Sequence, residues 1–289
     1  IGLYENNKLI GGSLAIAVNA KRGRHIVLPY GPLGDNLTEQ QLLVFFEFAK
    51  KLAIKHGFSF IRLSPFVRDN ESYRMALKKM GSLKAPMHIL AEDTWILDIQ
   101  KNEQELLSSM NKNHRNLINR CTKEGVQITK TTDAPALDRL NNMHNVVVRR
   151  HHFHRFPAHF IERELNTFAK KEEALIFEAR LPDGRLDASA IIIFYGNMAA
   201  YRHSASLQLD KRLPTSYLIQ WEAIKEAKKR GVMWYNFWGI APEGASSKHP
   251  FFGITHFKKG FGGSHMELLP CFDIPLKMRY YLTRYFELF

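Results

Sequence analysis

Gln41–Pro65 reads QLLVFFEFAKKLAIKHGFSFIRLSP, and Ser216–Ile240 reads SYLIQWEAIKEAKKRGVMWYNFWGI. Each stretch is an amphipathic helix pattern, a glycine, and a short run with strand character. In the first, Leu42, Phe45, Phe46, Ala49, Leu52 and Ala53 fall on one helical face. Thr38 and Gln41 have the spacing of a capping box. Gly57 and Gly231 stand where a helix end takes a left-handed residue.

A second correspondence lies further out. Glu5–Val18, ENNKLIGGSLAIAV, parallels Pro182–Phe194, PDGRLDASAIIIF. Both place a turn, a basic residue (Lys8 or Arg185) and then a strand pattern, and Asp183-Gly184 has hairpin-turn chemistry. The two matches share an offset of about 175 residues, which argues for duplication of one α/β unit. Between the copies, Trp95–Ile99 reads as a strand. A helix follows over Lys101–Lys123, with Leu106, Leu107, Met110, Leu117 and Ile118 as its apolar set and Gly125 after its end. Helical sequence over Ala134–Lys171 leads into the second unit. By the repeat, an equivalent lead is expected before Ile1. Pro275–Phe289 reads as a final helix.

The composition fits a folded α/β protein: 289 residues, 45% hydrophobic and 24% charged. No apolar run approaches the length of a transmembrane helix, and the opening IGLYENNKLIGG lacks the pattern of a leader. Two cysteines, Cys121 and Cys271, suit free thiols in a reducing cytosol. A net charge of +13 favours anionic partners: RNA, nucleotide phosphates or an anionic membrane face.

Two segments carry chemistry. His249–Gly263, HPFFGITHFKKGFGG, follows YNFWGIAP at Tyr235–Pro242. Read as an extended, glycine-bounded segment, it sends Lys258 and Lys259 to opposite faces, so that one lysine can meet a phosphate or a developing oxyanion. A solvated surface loop would have the same composition. Arg149–His159, RRHHFHRFPAH, reads as a basic helix–loop junction with its aromatics turned inward. The spacing of His151, His152, His154 and His159 does not match a zinc pattern, and no metal is expected.

The wording of these segments resembles the FemABX family. The resemblance rests on WGI followed by HP-x-x-G-I-x-x-F-K-x-x-F-G-G, on WILD at Trp95–Asp98, on R-N-x-I-x-x-x-x-K-x-G-V from Arg115 to Val126, and on the Tyr30-Gly31-Pro32 turn. It covers essentially the whole chain.

The resemblance implies two tandem GNAT-like acyltransferase domains of the α/β (α+β) class. These are placed at 1–132 plus 264–289, incomplete at the N-terminus, and at 133–263. It implies transfer of Gly, Ala or Ser from aminoacyl-tRNA, the co-substrate, with no cofactor. The acceptor is the stem peptide of UDP-MurNAc-pentapeptide or lipid II. A monomeric cytoplasmic enzyme is implied, with peripheral contact at the inner membrane face. The FK motif makes Lys258 the reaction-centre lysine and Phe257 the aromatic that shapes the site. Arg150 with Phe153, and secondarily Arg155, correspond to residues that hold the precursor's diphosphate. Tyr201 and Arg202 resemble the Y-x-x-x-x-S strand end, and Trp238 of the WGI joins them as substrate-binding. Ser64-Pro65 stands where the family frequently carries an acidic residue before proline. The compact length between 133 and 263 leaves no room for a helical-hairpin insertion.

Two other readings stay open. A coenzyme A-dependent N-acyltransferase shares the fold type, but the chain lacks the Q/R-x-x-G-x-G/A pyrophosphate turn. A non-catalytic RNA-binding module would use the charge and the aromatics but leave the FK segment without a purpose.

Overall fold

The computed structural model describes residues 1–20, 23–151 and 155–288. By its contacts the chain divides into one unit made of Ile1–Asp93 with Met266–Phe289 and a second made of Thr94–His265.

In the first unit, β1 (Gly2–Glu5) and β2 (Lys8–Gly12) form a hairpin. β3 (Ile16–Ala20), β4 (Gly23–Tyr30), α1 (Glu39–Lys55), β5 (Phe60–Pro65), α2 (Glu71–Lys79) and β6 (Leu83–Lys84) follow. α1 starts as its sequence dictates. Thr38 Oγ1 accepts from Gln41 N at 3.3 Å, and Gln41 Oε1 accepts from Thr38 N at 2.9 Å. Leu42, Phe45, Phe46, Ala49 and Ala53 are buried against Ile26, Leu28, Ile61 and Leu63 of the sheet.

The second unit runs β7 (Asp93–Asp98), α3 (Glu103–Ser109), α4 (Lys112–Lys123), β8 (Gln127–Thr131), α5 (Ala134–His151), α6 (Ala158–Ala169), β9 (Ala174–Arg180), β10 (Leu186–Tyr195), β11 (Met198–Ser206), α7 (Thr215–Lys229), β12 (Trp234–Gly239), α8 (Phe252–Lys259) and β13 (Ser264–Glu267). Its sheet has the order β13-β7-β12-β11-β10-β9-β8. The run AIIIF in β10 is apolar throughout because both faces are covered. Ile192 and Phe194 join a cluster with Ile224 of α7, while Ile191 and Ile193 join one with Leu140 of α5 and Leu165 of α6.

β14 (Phe272–Pro275) and α9 (Arg279–Leu288) belong to the first unit. β14 enters that sheet between β5 and β6, giving β3-β4-β5-β14-β6. It brings Asp273, fully buried, to Arg62 at 2.7 Å. Glu287 of α9 closes the other side of the guanidinium at 2.6 Å.

Three expectations are corrected. Residues 94–132, placed in the first domain, belong to the second: β7 pairs with β12 and β8 with β9. The single helix over Lys101–Lys123 is two, because Met110 is extended (ψ 154) and Asn111 N donates to Gly260 O at 2.9 Å. The helical stretch Ala134–Lys171 is also two, with Pro157 at the N-cap of α6. Both cysteines are buried free thiols. Among the described residues no helix is long and apolar enough to cross a membrane.

Candidate active site

The segment read as extended is helical. Phe252–Lys259 forms α8, a correction with a local cause: no glycine or proline interrupts Ile254–Lys259, and tertiary contacts fix these roughly two turns. Thr255 and Lys258, three apart, share the buried face. Thr255 Oγ1 accepts from Ala241 N at 2.8 Å, and Lys258 Nζ donates to the carbonyl of Gly239. α8 therefore grips the end of β12 at two points. Lys259 is exposed, its ammonium 5.3 Å from the Trp95 ring centroid. The two lysines do diverge, through helical rather than strand geometry.

Lys258 is 4% exposed. Burial brings its amine down from the usual lysine range to about 7. Phe257 turns into a ring cluster with Tyr217 (4.9 Å), Phe261 (5.3 Å) and His114 (6.4 Å). His114 is also a residue that the sequence reading missed. Its Nε2 lies 2.9 Å from Phe257 O, and an added Cβ on Gly260 would stand 1.9 Å from its ring. Gly263 is equally constrained, since a Cβ there would come within 2.3 Å of Ile96 O. At Gly263 two backbones approach too closely for a side chain, while at Gly260 the His114 imidazole fills that space.

β12 runs parallel to β11 for only three pairs, Met198↔Trp234 to Ala200↔Asn236. Tyr201 is the first residue past that pairing. Against β10, Ile191 pairs with His203 and Ile192 with Tyr201, so Arg202 is the extra residue of a bulge. The bulge puts Tyr201 and His203 on opposite faces. Burial raises the Tyr201 phenol above its ordinary range, against hydrogen bonds with Ser204 and Gln220 that lower it. On the other side, Glu164 of α6 accepts from both Arg202 Nε (2.8 Å) and His203 Nε2 (2.5 Å). Burial alone would raise the Glu164 carboxyl, but these two partners outweigh it and hold it below the usual carboxylate range.

Trp238, one residue before the carbonyl that holds Lys258, has a left-handed backbone at φ 69. It is held by Trp238 N donating to Asn236 Oδ1 at 2.7 Å. A bulky residue there is strained, a condition that clusters at functional sites. Its ring lies 4.8 Å from the Arg202 guanidinium. The structure thus links Trp238 and Arg202 directly, and ties Lys258 to the residue next to Trp238.

Arg150 and Arg155 are held separately. Arg150, exposed in the last turn of α5, donates to Leu207 O at 3.2 Å. Arg155 donates to Asn141 O and Oδ1 at 3.3 and 3.2 Å. Phe153, His152 and His154 lie outside the described residues. Among the described residues no three His, Cys, Asp or Glu side chains are grouped to hold a metal. The expectation of inward aromatics at this junction is overturned at Phe156, which is 49% exposed. Glu164, His203 and Phe156 were missed because nothing in their local sequence marks contacts made across 38 or more positions.

Two α/β units, the second with a parallel strand pair that opens beyond three residues, define a tandem GNAT-like protein. The FemAB family model matches residues 1–187 and 183–287, and the chain belongs to that family. Among solved structures it is similar to FemX, with a TM-score of 0.84 at 17% identity over 99% of this chain and 89% of that one. It is also similar to L-PGS from Bacillus licheniformis, with TM-score 0.57 at 13% identity over 95% and 86% of the two chains. A tandem GNAT protein from the clavulanic acid biosynthesis pathway gives TM-score 0.56 at 11% identity over 94% and 81%. No curated protein matches in sequence.

Proposed function

We propose that this chain transfers Gly, Ala or Ser from aminoacyl-tRNA to an amine of the stem peptide on a peptidoglycan precursor, UDP-MurNAc-pentapeptide or lipid II. The observation that carries the reading is Lys258: a lysine of the FK motif, buried and fixed by Gly239 O at the strained end of β12.

In such a reaction the acceptor amine attacks the ester carbonyl of the charged tRNA. Negative charge grows first on the carbonyl oxygen and then on the leaving ribose oxygen. A cation held in place before the reaction stabilises that charge more in the transition state than in the ground state. Neither a metal nor a nucleophilic side chain is required by this route. Arg150 and Arg155 are assigned to the acceptor's diphosphate, for which guanidinium forks suit bidentate hydrogen bonding. Tyr201, Arg202 and Trp238 line the substrate side, and Phe257 shapes the site from behind. The protein acts as a monomer in the cytoplasm, touching the membrane face when the acceptor is lipid-linked.

The test is to mix the protein with charged tRNAs and UDP-MurNAc-pentapeptide or lipid II and to examine the acceptor by mass spectrometry. Addition of one amino-acid residue, dependent on charged tRNA, is expected. No addition from any charged tRNA, or acylation that consumes acetyl-CoA instead, would overturn the reading.

A further inference from the structure

Arg202 does more than stack on Trp238. Its guanidinium also lies 5.4 Å from the centroid of Phe156. Phe156 in turn stacks on Phe160, centroids 5.0 Å apart and planes 20° from parallel. Four flat groups from three elements and a loop therefore form one ladder: Trp238, Arg202, Phe156, Phe160. The inner end is fixed. Trp238 has a constrained backbone, and the charge of Arg202 is matched by Glu164 at 2.8 Å. The outer end faces solvent, with Phe156 49% and Phe160 40% exposed.

The two stacked phenyl rings stand open at the surface, and their surroundings select the chemistry of a ligand. Arg155 precedes Phe156, while exposed His159 and Arg163 flank Phe160 on α6. The chain carries a net charge of +13. Two rings are far too small for a stable protein interface, which needs about 800 Å² on each partner. A planar π-face joined to an anion fits both the ladder and the cations, and a nucleotide is such a group.

We propose that Phe156 and Phe160 are a nucleobase platform, the base stacking on the outer rungs and its phosphates meeting the neighbouring arginines. This rests on the transfer reading above, in which two substrates bring nucleobases: the single-stranded 3′ end of the charged tRNA, and an acceptor activated as a nucleoside diphosphate. The shared chemistry is a base with phosphate, and the ligand tested decides which source uses the platform.

Phe160→Trp keeps the rung and makes it a reporter, because a stacked base quenches tryptophan emission. Titrations use UDP, the trinucleotide CCA, and base-free ribose 5-phosphate, each against the parent chain to subtract its own tryptophans. Saturable quenching by UDP or by CCA, with none from ribose 5-phosphate, is expected. By calorimetry, Phe160→Ala should bind the same ligand about 10-fold more weakly than the parent, within the range for losing one base–aromatic stack. Quenching by UDP alone assigns the platform to the acceptor, and by CCA alone to the RNA. Absence of quenching by both, equal quenching by the base-free sugar, or unchanged affinity in Phe160→Ala overturns the proposal. The binding assay needs no turnover. A chain that binds nucleotides in this way but transfers nothing would therefore defeat the transfer reading and leave the platform standing.

Discussion

Lys258 and Lys259 are neighbours with opposite surroundings, one buried on Gly239 and one exposed on Trp95. If Lys258 serves the oxyanion, Lys258→Ala should lower kcat roughly 10²–10³-fold, the usual cost of one oxyanion-stabilising group. Lys259→Ala should be nearly silent, and Lys258→Arg should restore only part of the rate, since a planar fork replaces a compact ammonium poorly. Single-turnover transfer at saturating acceptor, with circular dichroism as a folding control, measures all three. An inactive Lys259→Ala beside an active Lys258→Ala would reverse the assignment. The protonation state adds a second readout. Because burial brings the Lys258 amine to about 7, the ammonium form is lost as pH rises through that value, and a step that needs the cation slows above it. Lys258→Arg should remove that decline. For stability the sign follows from the depressed value. Below about pH 7 the fold holds a buried cation at a cost, and the cost fades as pH rises toward the ordinary lysine range. Lys258→Met should therefore gain more stability, relative to the parent, at about pH 6 than at about pH 9 in denaturant unfolding.

α8 is held from two sides, by the end of β12 and by α4 through His114. Gly260 is the point where α8 leaves no room, since a Cβ would overlap the His114 imidazole. Gly260→Ala should destabilise the second unit by about 1–3 kcal/mol, the range for overpacking a close contact. Adding His114→Ala should recover part of that loss. Thermal melts of the two single variants and the double variant close the cycle, and additive losses would mean that the contact is not what constrains Gly260. These elements also mark how far the sequence could be read. The helix–glycine–strand repeat was legible because propensity, capping and periodicity agree at Thr38, Leu42 and Gly57. α8 was not, because glycines on both sides of Ile254–Lys259 resemble a loop, and the contacts that make it helical come from Gly239 and Ala241. Lys258, Tyr201 and Trp238 were singled out because a motif carried them. Glu164 and His203 were not, because a bulge in β11 decides that His203 turns toward Glu164, and a bulge leaves no mark on hydrophobic alternation.

The first unit is assembled from two separated stretches of chain, with Arg62, Asp273 and Glu287 as the buried joint between them. Arg62 is 2% exposed, so Arg62→Ala would leave Asp273 charged and unpaired, a change that costs about 3–5 kcal/mol at such sites. Hydrogen exchange should show protection lost in β5, β14 and α9, with Thr94–His265 little affected. Uniform loss over both units would contradict the joint's local role. The same arrangement bears on how the protein is made. Arg62 and Asp273 stand 211 positions apart, and β14 pairs with β5 inside the sheet rather than at its rim. At roughly 5–20 residues per second, a ribosome would need about 10–40 s to deliver β14 after β5 has been translated. During that interval β5, buried along its whole length in the finished fold, has one hydrogen-bonding edge with no strand to receive it. The second unit is contiguous and can close in the meantime. A nascent chain stalled before Phe272 should therefore be the form that chaperones hold and that aggregates when they are absent.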